Sequence, residues 1–324
     1  MKLLYYNVSD DERPFIQKWS FVHQIPVKMV AEEISLQNVD LAADYDGVCL
    51  YPSVEMRQSA EIYRRLSAHG IRQLSIKSTG VDGVNFEWAA KYGLTVTNVP
   101  SYSPTSVGHF AIMSIMMLLR NVAPVIGDHS WDRKNSIGRE LQDVTVGILG
   151  TGRIGSVVAE GIHALGGHVI ASSSQPNTRL QGIVKYVSFE ELLKKADVIS
   201  IHIPLNERSL YQFSEAAFAA MKPNACLVNT ARGKIVDTQA LIRWLASGRA
   251  GGAALDALEN EEQYFAVGWH RNPLYAQISC FPNVILTPHI AFHTELAVKE
   301  IAETALNNAK EILLQGASMN SISV

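Results

Sequence analysis

Cysteine is scarce, and neither sign of charge is in marked excess. Three cysteines occur in 324 residues, Cys49, Cys226 and Cys280. They are too few and too scattered for a disulfide framework or a CxxC metal site, and no metal is expected. Lys and Arg number 28 against 31 Asp and Glu, a net charge of -3. A nucleic-acid binder would carry a basic patch or stripe. The nearest approach is the pair Arg64 and Arg65, so no nucleic-acid partner is expected. Long apolar runs are missing too. Phe110 to Leu119 is the longest, about half of a membrane-spanning helix, and it contains Ser114. The N-terminus turns acidic at Asp10, Asp11 and Glu12, unlike a secretory signal. These absences predict a cytoplasmic protein with no membrane partner.

Apolar residues make up 47% of the chain and charged residues 18%, which excludes disorder as the main state. The length suggests about two domains. Apolar runs alternate with helical segments, the mark of an α/β fold with mostly parallel sheets. Strands are expected at Lys2–Tyr6, Gly47–Tyr51, Leu74–Ile76 and Thr95–Val99, with a helix at Ser59–His69. A second block has strands at Val146–Leu149, His168–Ala171, Val198–Ile203, Cys226–Asn229, Gly252–Leu255 and Val284–Leu286. Thr105–Leu119 reads as a helix apolar almost all round, hence buried on more than one side. It is either a core helix or one shared between domains or subunits.

Gly150-Thr151-Gly152-Arg153-Ile154-Gly155 is a complete G-x-G-x-x-G between a strand and a helix, the context a dinucleotide loop requires. The first glycine makes the turn, the second admits the pyrophosphate, and the third lets helix and strand pack. An NAD site carries Asp or Glu about 20 residues on, bonding the ribose 2′-hydroxyl. Here Ser172, Ser173 and Ser174 stand at the end of the next strand, and no acid occurs between Glu160 and Glu190. Three hydroxyls, with Arg179 close by, favour the 2′-phosphate of NADP(H). The other reading is an NAD(H) enzyme without its acid.

Three more stretches follow strand ends, where open α/β sheets bind ligands. They are Asn229-Thr230-Ala231-Arg232-Gly233, Asp256-Ala257-Leu258-Glu259-Asn260-Glu261 and Thr287-Pro288-His289. With these, the whole chain resembles the D-isomer-specific 2-hydroxyacid dehydrogenases, and within them the D-lactate dehydrogenases. The resemblance extends to Asn98-Val99-Pro100-Ser101-Tyr102-Ser103-Pro104, Ile137-Gly138-Arg139-Glu140, His202-Ile203-Pro204-Leu205 and Val236-Asp237-Thr238.

The resemblance implies a catalytic trio of Arg232, Glu261 and His289. The histidine would be the general acid, Glu261 would orient it and raise its pKa, and Arg232 would grip the substrate carboxylate. It also implies that Thr79 and Gly80 lie on a loop offering backbone N–H groups to that carboxylate. Tyr51, Tyr102 and Phe292 match positions that wall the pocket. A tyrosine at 51 points to a short side chain, hence pyruvate and D-lactate. Pro204, Thr230, Ala231 and Asp256 join the cofactor residues, with Asp256 also supporting the trio. His202 either lines the nicotinamide site or is structural.

Two Rossmann-like domains with parallel sheets follow from the resemblance: a discontinuous substrate domain, residues 1–100 with 295–324, and a dinucleotide domain, 101–294, with a cleft between them. The apolar helix resembles the family's dimer element, so a homodimer is expected. Where relatives carry an acid after Val107-Gly108, this chain has His109. The competing readings are a reductase of longer 2-oxo acids and, from another class, a nucleotide-sensing binding protein.

Overall fold

A strand buried on both faces must be apolar along its length, and such runs form the centres of two parallel sheets. The computed structural model describes residues 1–127, 136–265 and 267–322. The chain divides into two compact units, Met1–Ser103 with His293–Val324, and Pro104–Phe292. No helix among the described residues is long and apolar enough to cross a membrane.

The sheet of the first unit contains β1 (Leu3–Tyr5), β2 (Val27–Met29), β3 (Gly47–Leu50), β4 (Gln73–Ile76) and β5 (Thr95–Thr97). All pairs are parallel, in the order β2-β1-β3-β4-β5. Alternate residues face opposite sides. Leu4, Val48, Leu50, Leu74 and Ile76 pack with Ile62, Tyr63 and Leu66 of helix Ala60–Ala68. Leu3, Tyr5 and Cys49 face the other way, onto Ile16 and Trp19 of helix Arg13–His23 and onto Ala302, Ala305 and Leu306 of helix Glu295–Gln315. That last helix is capped by the Thr294 side chain and stopped by Gly316 at φ 75°, a left-handed C-cap.

The second unit holds β6 (Thr145–Leu149), β7 (His168–Ser172), β8 (Val184–Tyr186), β9 (Val198–Ile201), β10 (Ala225–Asn229), β11 (Ala250–Leu255) and β12 (Val284–Leu286). They are parallel in the order β12-β11-β10-β9-β6-β7-β8. The strand order reverses between β6 and β9, which marks their carboxyl ends as the ligand crevice. One face packs Val146, Ile148, Val198 and Val228 against Ala111, Ile115, Val158 and Ile162. The other packs Leu149, Ile201, Leu227 and Leu255 around Phe213, Phe218 and Trp244.

Helix Pro104–Leu119 opens this unit. Within the chain it buries a single stripe, Val107, Gly108, Ala111, Ser114, Ile115, Leu118 and Leu119, which is the spacing of one helix face. Phe110, Met116 and Met117 are half-buried and Met113 is exposed. His109 is exposed in its second turn.

Candidate active site

The glycine loop takes its shape from close approaches. Gly150 has φ 91°, and a Cβ there would lie 2.7 Å from the carbonyl oxygen of His202. A Cβ on Gly155 would stand 1.9 Å from the Gly150 oxygen, so only glycine lets helix Arg153–Ala164 start this near the strand. Gly152 meets nothing within 4 Å of its Cβ position, and no side chain caps the helix behind it. A helix start without a side-chain cap is the kind of terminus that binds an anion. Arg153 is exposed and Ile154 half-buried in that turn.

The chain after β7 is tied to this loop. Gly150 N donates to Ser172 O at 2.8 Å and Thr151 N to Ser173 Oγ at 3.4 Å. Ser173 Oγ donates to Gln175 O at 3.1 Å, and Tyr186 OH donates to Thr151 Oγ1 at 3.0 Å. Ser173 therefore stands beside the glycine loop; Ser174, the next residue, is exposed, as is Arg179 further along the chain. At the end of β10, Thr230 Oγ1 is buried with no protein partner. An uncapped helix start, an open glycine and an orphaned hydroxyl at one sheet edge fit a dinucleotide.

His202 follows β9. Its Nε2 lies 2.8 Å from Ser200 Oγ, and burial pushes its pKa down to about 3, so its ring is neutral. Pro204 is exposed, and its carbonyl accepts from Ser209 Oγ at 2.7 Å.

Arg232 is set by the turn after β10. The buried Asn229 side chain accepts from Ala231 N at 3.0 Å and donates to Arg232 O at 2.9 Å. Arg232 Nη1 donates to Ala231 O at 2.8 Å. The next residue, Gly233, runs so close to Leu258 and Glu259 that a Cβ would lie 2.2 Å from the Leu258 carbonyl carbon. The arginine turn is thereby pressed against the turn that carries Glu261.

Glu261 is only 6% exposed. One carboxylate oxygen accepts from Leu258 N at 3.0 Å, and the other lies 2.8 Å from His289 Nδ1. His289 adopts φ 55°, a left-handed conformation uncommon outside glycine. The buried Asp256 braces that turn, accepting from Thr287 Oγ1 at 2.6 Å, Ile290 N at 2.9 Å and Ala291 N at 2.8 Å. Burial pushes the imidazolium pKa of His289 down. The hydrogen bond and charge of Glu261, with the charge of Asp256, outweigh it and the opposing charge of Arg232, so the net shift is upward. A cationic imidazole held beside an arginine can give a proton to an oxygen while the guanidinium grips an anion.

The second unit therefore brings Arg232, Glu261, His289 and Asp256 together. Phe292 lies there too, its ring edge-on to His289 with centroids 6.3 Å apart. Phe265 makes a similar contact at 6.2 Å, which the sequence reading missed because a lone Phe in a turn carries no motif. Tyr51, Thr79, Gly80 and Tyr102 belong to the first unit. Tyr51 directly follows β3, Thr79 Oγ1 donates to Val99 O at 2.8 Å, and Gly80 O accepts from Ser78 Oγ at 2.6 Å.

Comparison with known proteins places this geometry. The family model for the NAD-binding domain of D-isomer-specific 2-hydroxyacid dehydrogenases matches residues 111–291. A D-lactate/D-glycerate dehydrogenase of Pediococcus acidilactici is 34% identical, with 99% of each chain covered. A D-2-hydroxyacid dehydrogenase (NAD(+)) of Clostridioides difficile is 35% identical over 99% of this chain and 100% of its own. The crystal structure of a D-lactate dehydrogenase from Treponema pallidum superposes with a TM-score of 0.88 at 32% identity, covering both chains fully.

Proposed function

The chain belongs to the D-isomer-specific 2-hydroxyacid dehydrogenase family, and from that premise we propose that it reduces pyruvate to D-lactate, with NADPH preferred over NADH. The observation that carries the reading is the Glu261–His289 contact of 2.8 Å on a turn braced by Asp256. It supports a protonated imidazole at a fixed place.

The roles follow from the residues. Arg232 binds the substrate carboxylate as a bidentate donor and polarises the neighbouring carbonyl. His289 gives its Nε2 proton to the C2 oxygen as that oxygen gains charge, and regains a proton from solvent. Glu261 holds the ring by Nδ1 and stabilises the cation before transfer. When bound, the reduced nicotinamide supplies the hydride that C2 accepts. The N–H groups of Gly152, Arg153, Ile154 and Gly155 would hold its pyrophosphate at the turn set by Gly150, and Thr230, Ala231, His202 and Pro204 would lie along it. The first unit is assigned to the substrate, through Thr79, Gly80, Tyr51 and Tyr102. In the second, Phe292 stands edge-on to His289 and is assigned to the substrate as well.

The cofactor preference rests on Ser172, Ser173, Ser174 and Arg179, and on a stretch without carboxylates from 161 to 189. The NAD(+) in the Clostridioides difficile relative's name argues the other way, so both nucleotides are to be compared. The exposed Met113 and half-buried Phe110, Met116 and Met117 of helix Pro104–Leu119 support a homodimer. The test is the initial rate of cofactor oxidation with pyruvate, using NADPH and NADH side by side. A higher kcat/KM with NADPH is expected. Preference for NADH would overturn the cofactor assignment, and no turnover with either would overturn the substrate.

A further inference from the structure

The carboxyl edge of the first unit's sheet holds an ion pair that the proposed chemistry does not use. Lys77, directly after β4, is fully buried, and Glu12 is 6% exposed. The ammonium lies 3.0 Å from both oxygens of the Glu12 carboxylate. It also donates to Asn7 O at 2.7 Å and Tyr6 O at 3.2 Å. Its nitrogen sits 4.3 Å from the centroid of the Tyr5 ring and 4.7 Å from that of Tyr51. Glu12 accepts in turn from Tyr5 OH and Ser9 N, each at 3.0 Å.

Four segments thus meet on one buried pair: the chain after β1, the start of helix Arg13–His23, the residue after β3 and the residue after β4. The strand order of this sheet reverses between β1 and β3, the switch point at which open α/β sheets take ligands. Stability alone does not explain charge there. Each buried ion costs several kcal/mol in desolvation, and apolar residues of similar volume often do as well. What the pair does is fix geometry. The ammonium holds the Tyr51 ring by a cation–π contact. It also anchors the start of Ser78-Thr79-Gly80, whose other end is tied by Asn98 Nδ2 to Thr79 O at 2.8 Å.

We propose that the Lys77–Glu12 pair is a positioning element for substrate selection, holding the Tyr51 ring and the Ser78–Gly80 loop so that short 2-oxo acids fit and long ones do not. This rests on the reading of Tyr51 and that loop as substrate-binding.

The experiment compares kcat/KM for pyruvate and phenylpyruvate in the intact enzyme and in Glu12→Gln/Lys77→Met, which removes both charges and keeps the volumes. The phenylpyruvate-to-pyruvate ratio is expected to rise about tenfold or more, mainly through a higher KM for pyruvate, because small misplacements of binding groups cost factors of this order. Nucleotide binding by the second unit is expected to stay as in the wild type. Lys77→Arg, which keeps the charge, is expected to retain most of the selectivity. Should the double variant fail to fold, Glu12→Gln alone is expected to move the ratio the same way by about threefold, as weakening one charged hydrogen bond would. An unchanged ratio in a folded variant, with only the melting temperature lowered, overturns the proposal. A wild-type enzyme that turns over neither acid overturns the functional reading beneath it instead.

Discussion

Glu261 Oε1 lies 2.8 Å from His289 Nδ1, so Nε2 is the ring nitrogen left to meet a substrate oxygen. The imidazole's direction is set by its partner, and the partner is set by its own bond to Leu258 N. Replacing His289 by Gln keeps a polar side chain and removes the titrating group. Reduction of 2-oxo acids is expected to fall by about 10²–10⁴-fold, the range for loss of a general acid. Nucleotide affinity, measured by fluorescence titration, should hold. Turnover near wild type would remove His289 from the role of acid.

The same contact fixes the pH dependence. The His289 pKa is raised in the folded protein, so the imidazolium survives above the ordinary 6.5. Pyruvate reduction should be flat at low pH and fall as pH rises through that raised value. In Glu261→Gln the fall should move to lower pH and the plateau should drop. The linkage has the matching sign. A raised folded pKa contributes stability that is fully present below the unfolded value of 6.5 and is lost as pH climbs through the folded one. A pH–rate profile that Glu261→Gln leaves in place would contradict the pairing.

Asp256 accepts three hydrogen bonds from the turn bearing His289, and that histidine sits at a positive φ. Asp256→Asn puts an amide group where an acceptor is needed. The expected cost is about 1–3 kcal/mol of stability, as for a buried donor left without its partner. The melting temperature and kcat should fall together. Wild-type values for both would mean that the turn holds its shape unaided.

Ser173 offers a hydroxyl at 3.4 Å from Thr151 N, where relatives that prefer NAD are expected to carry an acid. Ser173→Asp would place a carboxylate against a 2′-phosphate. The NADPH-to-NADH ratio of kcat/KM should fall by at least about tenfold, equivalent to 1.4 kcal/mol. An unmoved ratio would place recognition of that phosphate elsewhere.

The central strands and the glycine loop were legible in the sequence because a buried parallel strand is continuously apolar and the loop has fixed spacing. Val27–Met29 and Val184–Tyr186 were not read as strands. Each is three residues long, lies at a sheet edge and is only half covered, so no apolar run announces it. The trio came from motif order and not from any contact that spacing could supply. Asp256 shows the limit: an acid after a strand is visible, but its three backbone and hydroxyl partners are 31 to 35 positions away. Lys77 is a sharper case. Nothing in the sequence around Lys77 signals burial, and only the fold brings Glu12, 65 positions away, against it.

The most direct test of the account is the handedness of the product. Pyruvate is incubated with the enzyme and reduced nicotinamide cofactor, and the lactate is resolved on a chiral column. In the proposed reading Arg232 grips the carboxylate and His289 meets the carbonyl oxygen, and with the nicotinamide held on one side of the bound acid, hydride is expected at one face of C2 only. The account predicts D-lactate as the sole enantiomer. L-lactate, a racemic product or no lactate would contradict it.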